Sequence, residues 1–167
     1  VILWNANYGS MNTECMYLTV ADIFRNTNFT MADDICWKKS SAIPNNVSAT
    51  QLTRIWEHVF VFCRRDEIKT FKTNKKVKSI SHFGQKFYET YYNFIEAKNN
   101  DGTCPLNKCT YSSELCMKLL GIYGEEGMTV LDPFSGTGTT GLACTGGARP
   151  THSVPHHKEL PAFLQSD

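Results

Sequence analysis

The glycine-rich stretch from Leu131 to Gly141 constrains this chain more than any other feature. A short apolar strand, Met128 to Leu131, ends on Asp132, and a helix predicted from Thr139 to about Cys144 follows the glycines. Glycines at such a strand-to-helix turn let the backbone approach a ligand closely, and free N–H groups at a helix start attract anionic groups. The sequence therefore predicts a binding turn for a nucleoside-bearing cofactor.

Two well-known glycine turns fit this stretch poorly. The glycine spacing matches the dinucleotide fingerprint Gly-x-Gly-x-x-Gly, but there the strand runs directly into the first glycine. Here Asp132-Pro133-Phe134 intervenes, and a carboxylate at the strand end suits a cationic group better than a pyrophosphate. A phosphate-binding P-loop would need a lysine, and Thr139-Thr140-Gly141 supplies none. We therefore set both of these motifs aside.

The string Asp132-Pro133-Phe134-Ser135-Gly136-Thr137-Gly138-Thr139-Thr140 resembles the S-adenosylmethionine motif of DNA amino-methyltransferases. These enzymes methylate the exocyclic amine of adenine (N6) or cytosine (N4). In their permuted subclass the cofactor motif follows the catalytic and target-recognition regions, and here too the glycines come late in the chain. The similarity covers roughly residues 1 to 145 and extends upstream through three further segments, Trp37 to Lys39, Leu52 to Phe62 and Asn107 to Leu115.

The order of predicted elements indicates the fold class. Helices are expected from Glu14 to Arg25 and from Ser112 or Ser113 to Tyr123, and strands from Thr30 to Lys38 and from His58 to Cys63. The second strand is a nearly continuous apolar run, which predicts a buried central strand. Alternating strands and helices predict a doubly wound α/β fold with a mainly parallel sheet. The resemblance implies the same Rossmann-like architecture of S-adenosylmethionine-dependent methyltransferases, here in partial form.

Composition divides the 167 residues into three parts. We expect a methyltransferase domain over residues 1–145. Lysine, asparagine, serine and threonine dominate an insertion at 66–103, which corresponds to the target-recognition region of the permuted order. Residues 146–167 contain histidines and prolines where the family continues with a strand, so we expect an irregular tail that diverges from the family.

The resemblance assigns roles at the glycine turn. It places Asp132 near the ammonium of S-adenosylmethionine, backbone N–H groups near the cofactor carboxylate, and Phe134 as an apolar wall. Thr110 and Ser112 would offer hydroxyls from a companion segment. The predicted cofactor-binding residues are Asp132, Pro133, Phe134, Gly136, Gly138, Thr139, Thr140, Thr110 and Ser112.

The catalytic tetrapeptide of the family is absent from these residues. That tetrapeptide, Asp/Asn/Ser-Pro-Pro-Tyr/Phe, holds the flipped base, and no Pro-Pro pair occurs in the sequence. In the permuted order the tetrapeptide would precede Val1, and the sequence begins there abruptly with an apolar strand. We therefore predict no catalytic residue in this chain and expect an incomplete DNA methyltransferase. The alternative is a non-catalytic remnant that binds DNA or the cofactor.

A basic segment indicates a nucleic-acid partner. The net charge is only +1, but Arg64 to Lys86 contains eight basic residues and two acidic ones. Judged alone, these lysines are as compatible with a solvated face as with a track for phosphates. Their place in the permuted order favours double-stranded DNA. The predicted DNA-binding residues are Lys69, Lys72, Lys75, Lys76 and Lys78.

The remaining composition excludes several classes. The seven cysteines show no Cys-x-x-Cys spacing, and no histidines are paired at ligand spacing, so neither a metal site nor a disulfide framework is indicated. No apolar run reaches membrane length and no leader is visible. We expect a reduced cytoplasmic chain without membrane or metal. The target base, the recognition sequence and the oligomeric state are left open.

Overall fold

The computed structural model describes residues 1–6, 15–102, 110–146 and 152–153. Over these ranges the chain forms strands, helices and a single 3₁₀ turn, Arg65–Glu67. In chain order they are β1 (Ile2–Ala6), α1 (Met16–Asn26), β2 (Phe29–Lys39), β3 (Trp56–Arg64), β4 (Val77–Ile80), β5 (Lys86–Tyr88), β6 (Phe94–Ala97), α2 (Ser113–Tyr123), β7 (Thr129–Val130), α3 (Thr139–Gly146) and β8 (His152–Ser153).

The main sheet has four strands in the order β1-β3-β2-β6. Strand β3 runs antiparallel to both of its neighbours, and β2 pairs in parallel with β6. This part of the sheet is therefore mixed, not mainly parallel as the alternation of elements predicted. The reason lies between β2 and β3, because residues 40–55 form a loop without a helix. A parallel pair needs a long crossover, whereas a loop lets the chain return antiparallel.

Strand β3 is one of the two inner strands of the main sheet. Its residues from His58 to Cys63 are all buried, which confirms the prediction of a central strand from the apolar run. Alternate side chains of a strand face opposite sides of the sheet. Val59 and Val61 accordingly belong to one core cluster, and Phe60 and Phe62 to another.

A helix covers each face of the sheet. Helix α2 packs through Leu115, Leu119 and Tyr123 against the face that carries Val59 and Val61. On the opposite face, α1 contributes Met16, with Val20 and Ile23, to the cluster around Phe60 and Phe62. Layers of helix on both sides of a sheet are the arrangement of a doubly wound α/β fold.

A polar contact fixes α1 on its face. The Tyr17 hydroxyl lies 3.1 Å from Nε2 of His58, and Nδ1 of the same ring lies 2.9 Å from Oδ1 of Asp34 on β2. Both ring nitrogens of this buried histidine are thus occupied, as buried polar groups require. The predicted helix start near Glu14 lies outside the described residues.

The segment expected as an insertion contains two different kinds of structure. Strands β4 and β5 form a separate antiparallel hairpin, and all of their residues are exposed. Strand β6, in contrast, joins the main sheet, with Ile95 and Ala97 buried in its core. The part of residues 66–103 that stands apart from the sheet therefore ends before Phe94.

The glycine turn follows a second small sheet. Strand β7 pairs in parallel with β8, Thr129 opposite His152 and Val130 opposite Ser153. Within the expected tail, residues 152–153 are thus paired, and the rest beyond Gly146 lies outside the described residues. None of the helices that the structure describes is long and apolar enough to cross a membrane.

Candidate functional site

The turn between β7 and α3 is shaped by two glycines with left-handed backbone angles. Gly136 has a φ of +49° and Gly138 a φ of +80°, and the N–H of Gly138 donates to the carbonyl of Ser135 over 2.6 Å. A Cβ at Gly138 would meet nothing within 4 Å. The glycines are therefore required by the backbone conformation and not by crowding, and the open side of the turn is available to a ligand.

Asp132 is the centre of a hydrogen-bond cluster at this turn. Its Oδ2 accepts from the Tyr111 hydroxyl at 2.8 Å and from Oγ1 of Thr140 at 2.6 Å. Its Oδ1 accepts from the backbone N–H of Phe134 at 3.0 Å, and the two hydroxyls lie 2.6 Å apart. The carboxylate thus joins the segment before α2, the strand end and the first turn of α3.

The electrostatics of the cluster favour a single negative charge. Burial acts to raise the pKa of Asp132, but the hydrogen bonds from Thr140, Tyr111 and the Phe134 N–H bring it below its usual value. Burial raises the pKa of Tyr111, so its hydroxyl keeps the proton that it donates. Burial likewise raises the pKa of Cys116 to about 12. The site therefore presents an ionised carboxylate surrounded by neutral groups.

An aromatic ring stands open beside the charge. Phe134 is 89% exposed, although its backbone is fixed by the bond to Asp132. Pro133 is also exposed, and Thr139 is half-buried at the start of α3 with its hydroxyl 3.2 Å from that of Thr137. An exposed ring held next to a carboxylate can pack against a cation that carries an apolar body.

The companion segment before α2 is arranged differently from the sequence prediction. Ser112 is fully buried; its Oγ donates to the carbonyl of Lys98 at 2.8 Å and accepts from the N–H of Leu115 at 3.3 Å. This hydroxyl caps α2 and is not directed to the turn. Thr110 is half-buried one residue before Tyr111. The structure thus brings Tyr111, which the sequence analysis did not select, to Asp132.

The only available signal for Tyr111 was its residue type. A tyrosine between Thr110 and Ser112 has an apolar ring and a polar tip, and a buried tip usually finds a partner. That rule predicts a hydrogen bond but not which group accepts it, because the acceptor is 21 residues away in the chain.

The five lysines predicted to bind DNA are all exposed. They lie along the irregular stretch after the 3₁₀ turn and on β4, and none of them forms an ion pair within the described ranges. The stretch is tied to the end of α2 by Asn74, whose side chain donates to the carbonyls of Gly121 and Gly124. The positive charges are therefore unneutralised on a tethered segment.

A separate open cleft of about 530 Å³ lies between this stretch and the end of α2. It is lined by Asn74, Lys76, Glu89, Tyr91, Gly121, Gly124, Glu125 and Glu126. Three carboxylates among its walls make it unsuited to phosphate, and it shares no residue with the glycine turn. In the described part of the chain, no group of three or more His, Cys, Asp or Glu side chains is placed to hold a metal ion.

Comparison with known proteins gives one family and a set of similar structures. The family model described as DNA methylase matches residues 1–150. No curated protein matches. The complex of M1.HpyAVI with SAM is 25% identical to this chain, with a TM-score of 0.54, and the alignment covers 82% of this chain and 61% of that one.

Two other solved structures share the fold at lower identity. M1.HpyAVI alone is 20% identical, with a TM-score of 0.53, and the alignment covers 83% of this chain and 59% of that one. The cytosine-N4-specific PvuII DNA methyltransferase is 16% identical, with a TM-score of 0.58, and the alignment covers 82% of this chain and 50% of that one. The chain described here therefore matches 50% to 61% of the length of these three proteins.

Proposed function

The chain belongs to the DNA methylase family, and on that premise we propose that it takes part in methyl transfer from S-adenosylmethionine to an exocyclic amine of duplex DNA. The target would be N6 of adenine or N4 of cytosine. The observation that carries the proposal is the ionised Asp132 beside the open glycine turn. A similar chain, M1.HpyAVI, is known in complex with SAM, which supports this choice of cofactor.

The residues of the turn fit the amino-acid end of this cofactor. The cofactor, when bound, supplies a methyl group on a positively charged sulfonium. In our proposal Asp132 holds the ammonium, and the N–H groups at the start of α3 hold the carboxylate, because helix starts attract anions. Phe134 provides the apolar wall. Gly136 and Gly138 keep the turn open, and Pro133, Thr139 and Thr140 complete it.

Tyr111 acts in this proposal as a positioning residue. Its hydroxyl and that of Thr140 direct Oδ2 of Asp132 and keep the carboxylate ionised. Thr110 stays a candidate contact, since it adjoins Tyr111. Ser112 does not belong to the proposed set, because its hydroxyl already bonds to Lys98 and Leu115.

The five exposed lysines form the proposed contact with the DNA backbone. Each lysine that neutralises a phosphate releases condensed counterion, so binding should weaken as salt rises. Phosphate contacts position a protein without reading the sequence. The target base and recognition sequence would therefore be decided elsewhere.

We further propose that the 167 residues by themselves bind cofactor and DNA without transferring a methyl group. Methyl transfer to an amine needs acceptors for its hydrogens and an oriented base, and the sequence contains no Pro-Pro-aromatic tetrapeptide. Incubation with labelled S-adenosylmethionine and duplex DNA should leave the DNA unlabelled. Labelling above background would contradict this part of the proposal.

The missing tetrapeptide also supports the second candidate, a non-catalytic protein that binds cofactor or DNA. The coding sequence next to the Val1 codon distinguishes the two candidates. A Pro-Pro-aromatic tetrapeptide encoded there favours the enzyme, and its absence favours the binding protein.

Calorimetry tests the cofactor site directly. S-adenosylmethionine should bind the chain, and Asp132→Asn should weaken that binding by about tenfold or more through loss of a charge-assisted contact. Asp22→Asn, on an exposed position of α1, is the matched control and should change nothing. 5′-Methylthioadenosine, which lacks the amino-acid end, should bind both Asp132 forms equally. Equal affinity of S-adenosylmethionine for wild type and Asp132→Asn would contradict the assignment.

A further inference from the structure

The hairpin of β4 and β5 is a ribbon without a covered face. All seven residues of its two strands are exposed, and they include Val77, Ile80, Phe87 and Tyr88. An isolated two-stranded hairpin is marginally stable in water, so apolar side chains on both of its faces indicate a contact with a partner. A two-stranded ribbon also has the width of the DNA major groove.

The apex of the hairpin holds one aromatic ring in the open. Ser81 and Gln85 close the turn, with Ser81 N–H donating to the Gln85 carbonyl at 2.8 Å. Gln85 N–H donates in return to Oγ of Ser81 at 3.0 Å, and Gly84 has a φ of +81°. Phe83 at the apex is 94% exposed. The turn is therefore closed by hydrogen bonds, while the ring that it carries contacts solvent.

Positive charge surrounds this apolar apex. Six lysines and no acidic residue occur from Ile68 to Tyr88. Lys86 lies opposite Ile80 in the register, next to the turn, and Lys78 lies two residues further down β4. A nucleic-acid duplex has negatively charged phosphates outside and stacked base pairs inside. The lysines complement the phosphates, and the aromatic ring of Phe83 complements the base pairs.

We propose that Phe83 is a wedge that inserts between adjacent base pairs of duplex DNA while Lys78 and Lys86 contact the flanking phosphates. This inference rests on the proposed DNA substrate and adds a residue that acts on base stacking and not on charge. Inserting an apolar side chain at a base step unstacks it, and stacking on the ring offsets part of that cost. The hairpin would thus locally open the duplex beside the region held by the lysines.

A fluorescent base in the duplex tests the wedge. 2-Aminopurine brightens when it loses its stacked neighbour, so duplexes that carry it at successive positions should brighten at one step when the chain binds. Phe83→Ala should abolish the rise and weaken binding by roughly tenfold or more, with the salt slope unchanged because no charge is lost. Phe83→Trp should retain the rise.

Two controls separate the wedge from other effects. Tyr92→Ala removes an aromatic side chain that is 74% exposed but lies outside the hairpin, and it should leave both affinity and fluorescence unchanged. Replacing Lys72, Lys75 and Lys76 by Ala should reduce affinity, yet the complexes that form at saturation should keep the fluorescence rise.

The outcomes distinguish this inference from the proposed function. If wild type binds duplex DNA with the expected salt dependence and Phe83→Ala brightens 2-aminopurine equally, Phe83 does not insert between base pairs. The proposed contact of the lysines with DNA is then unaffected. If wild type binds no duplex, both are wrong. If the chain instead binds phosphatidylserine vesicles through Phe83, a membrane surface replaces DNA as the partner of the hairpin.

Discussion

The hydroxyl of Tyr111 donates a 2.8 Å hydrogen bond to Oδ2 of Asp132 across 21 residues of sequence. This bond ties the segment before α2 to the end of β7, two parts of the chain that the main sheet does not join directly. The position of the carboxylate is therefore determined by a residue that need not touch the cofactor.

Tyr111→Phe should lower the affinity for S-adenosylmethionine by about fivefold, since a net hydrogen bond contributes about 1 kcal/mol. The ring stays, so the packing changes little. Tyr91→Phe is the matched control, because its hydroxyl also lies near a carboxylate, Glu89, but far from the turn in sequence. Calorimetry on both variants measures the effect, and equal losses in the two would contradict a specific role for Tyr111.

Acid should destabilise the fold partly through Asp132. The pKa of Asp132 is lowered in the folded chain. Its contribution to the free energy of unfolding is therefore complete above the unfolded pKa of about 4 and is lost as pH falls through the lower folded pKa. The unfolding temperature of wild type should therefore drop more in this window than that of Asp132→Asn. Thermal melts at a series of acidic pH values measure the difference, with Asp22→Asn expected to follow wild type.

Ser112→Ala should destabilise the chain by about 0.5–2 kcal/mol through loss of the cap of α2. The affinity of the folded variant for S-adenosylmethionine should be that of wild type, because this hydroxyl bonds to Lys98 and Leu115. Ser113→Ala, one residue later, is the control. Urea denaturation and calorimetry together decide the role, and a large loss of cofactor affinity would restore Ser112 to the binding set.

Val61→Ala should lower the free energy of unfolding by about 2–3 kcal/mol, because it removes two methyl groups from a filled core. Val61 has no exposed surface, and it lies between two strands. Val47→Ala makes the same change at a residue that is 99% exposed, where the effect should stay within about 0.5 kcal/mol. Urea denaturation of the two variants should therefore give clearly different midpoints.

Replacing Lys72, Lys75, Lys76 and Lys78 by Ala should weaken binding to all duplexes about equally. The slope of log affinity against log salt should flatten by up to about three units. Replacing Lys38 and Lys118, which pair with Glu96 and Glu114, is a control on other elements. Cofactor affinity should not change. An unaltered salt slope in the quadruple variant would show that these lysines form only a solvated face.

Local signals predicted a large part of the fold. The apolar run from His58 to Cys63 indicated a buried strand, because only a strand with two covered faces tolerates so few polar residues. Cap preferences predicted the start of α2 at Ser112 or Ser113, and Ser112 is its cap residue. The glycine turn was predicted as well, since left-handed angles at Gly136 and Gly138 exclude most other residues.

Long-range relationships were not predictable in the same way. The direction of β3 relative to β2 depends on how the loop at 40–55 returns, and the pairing of β6 with β2 joins residues 58 positions apart. The bond between Tyr111 and Asp132 likewise joins two distant parts of the chain, through the packing of α2 against α3. Cap preferences also predicted Ser112 as a helix start, whereas they could not predict the bond of its hydroxyl to the distant carbonyl of Lys98.

The two-residue pairing of β7 with β8 has a consequence for amide exchange. Strand β3 shares its hydrogen bonds with two long neighbours, whereas the turn is joined to the rest of the described chain by α2, α3 and the Asp132 cluster. Opening α3 would therefore not require the main sheet to unfold. Amides of residues 139–145 should exchange through local opening of α3, which costs little free energy, whereas the amides of β3 should exchange only on global unfolding. A bound ligand at the turn would slow only the first group.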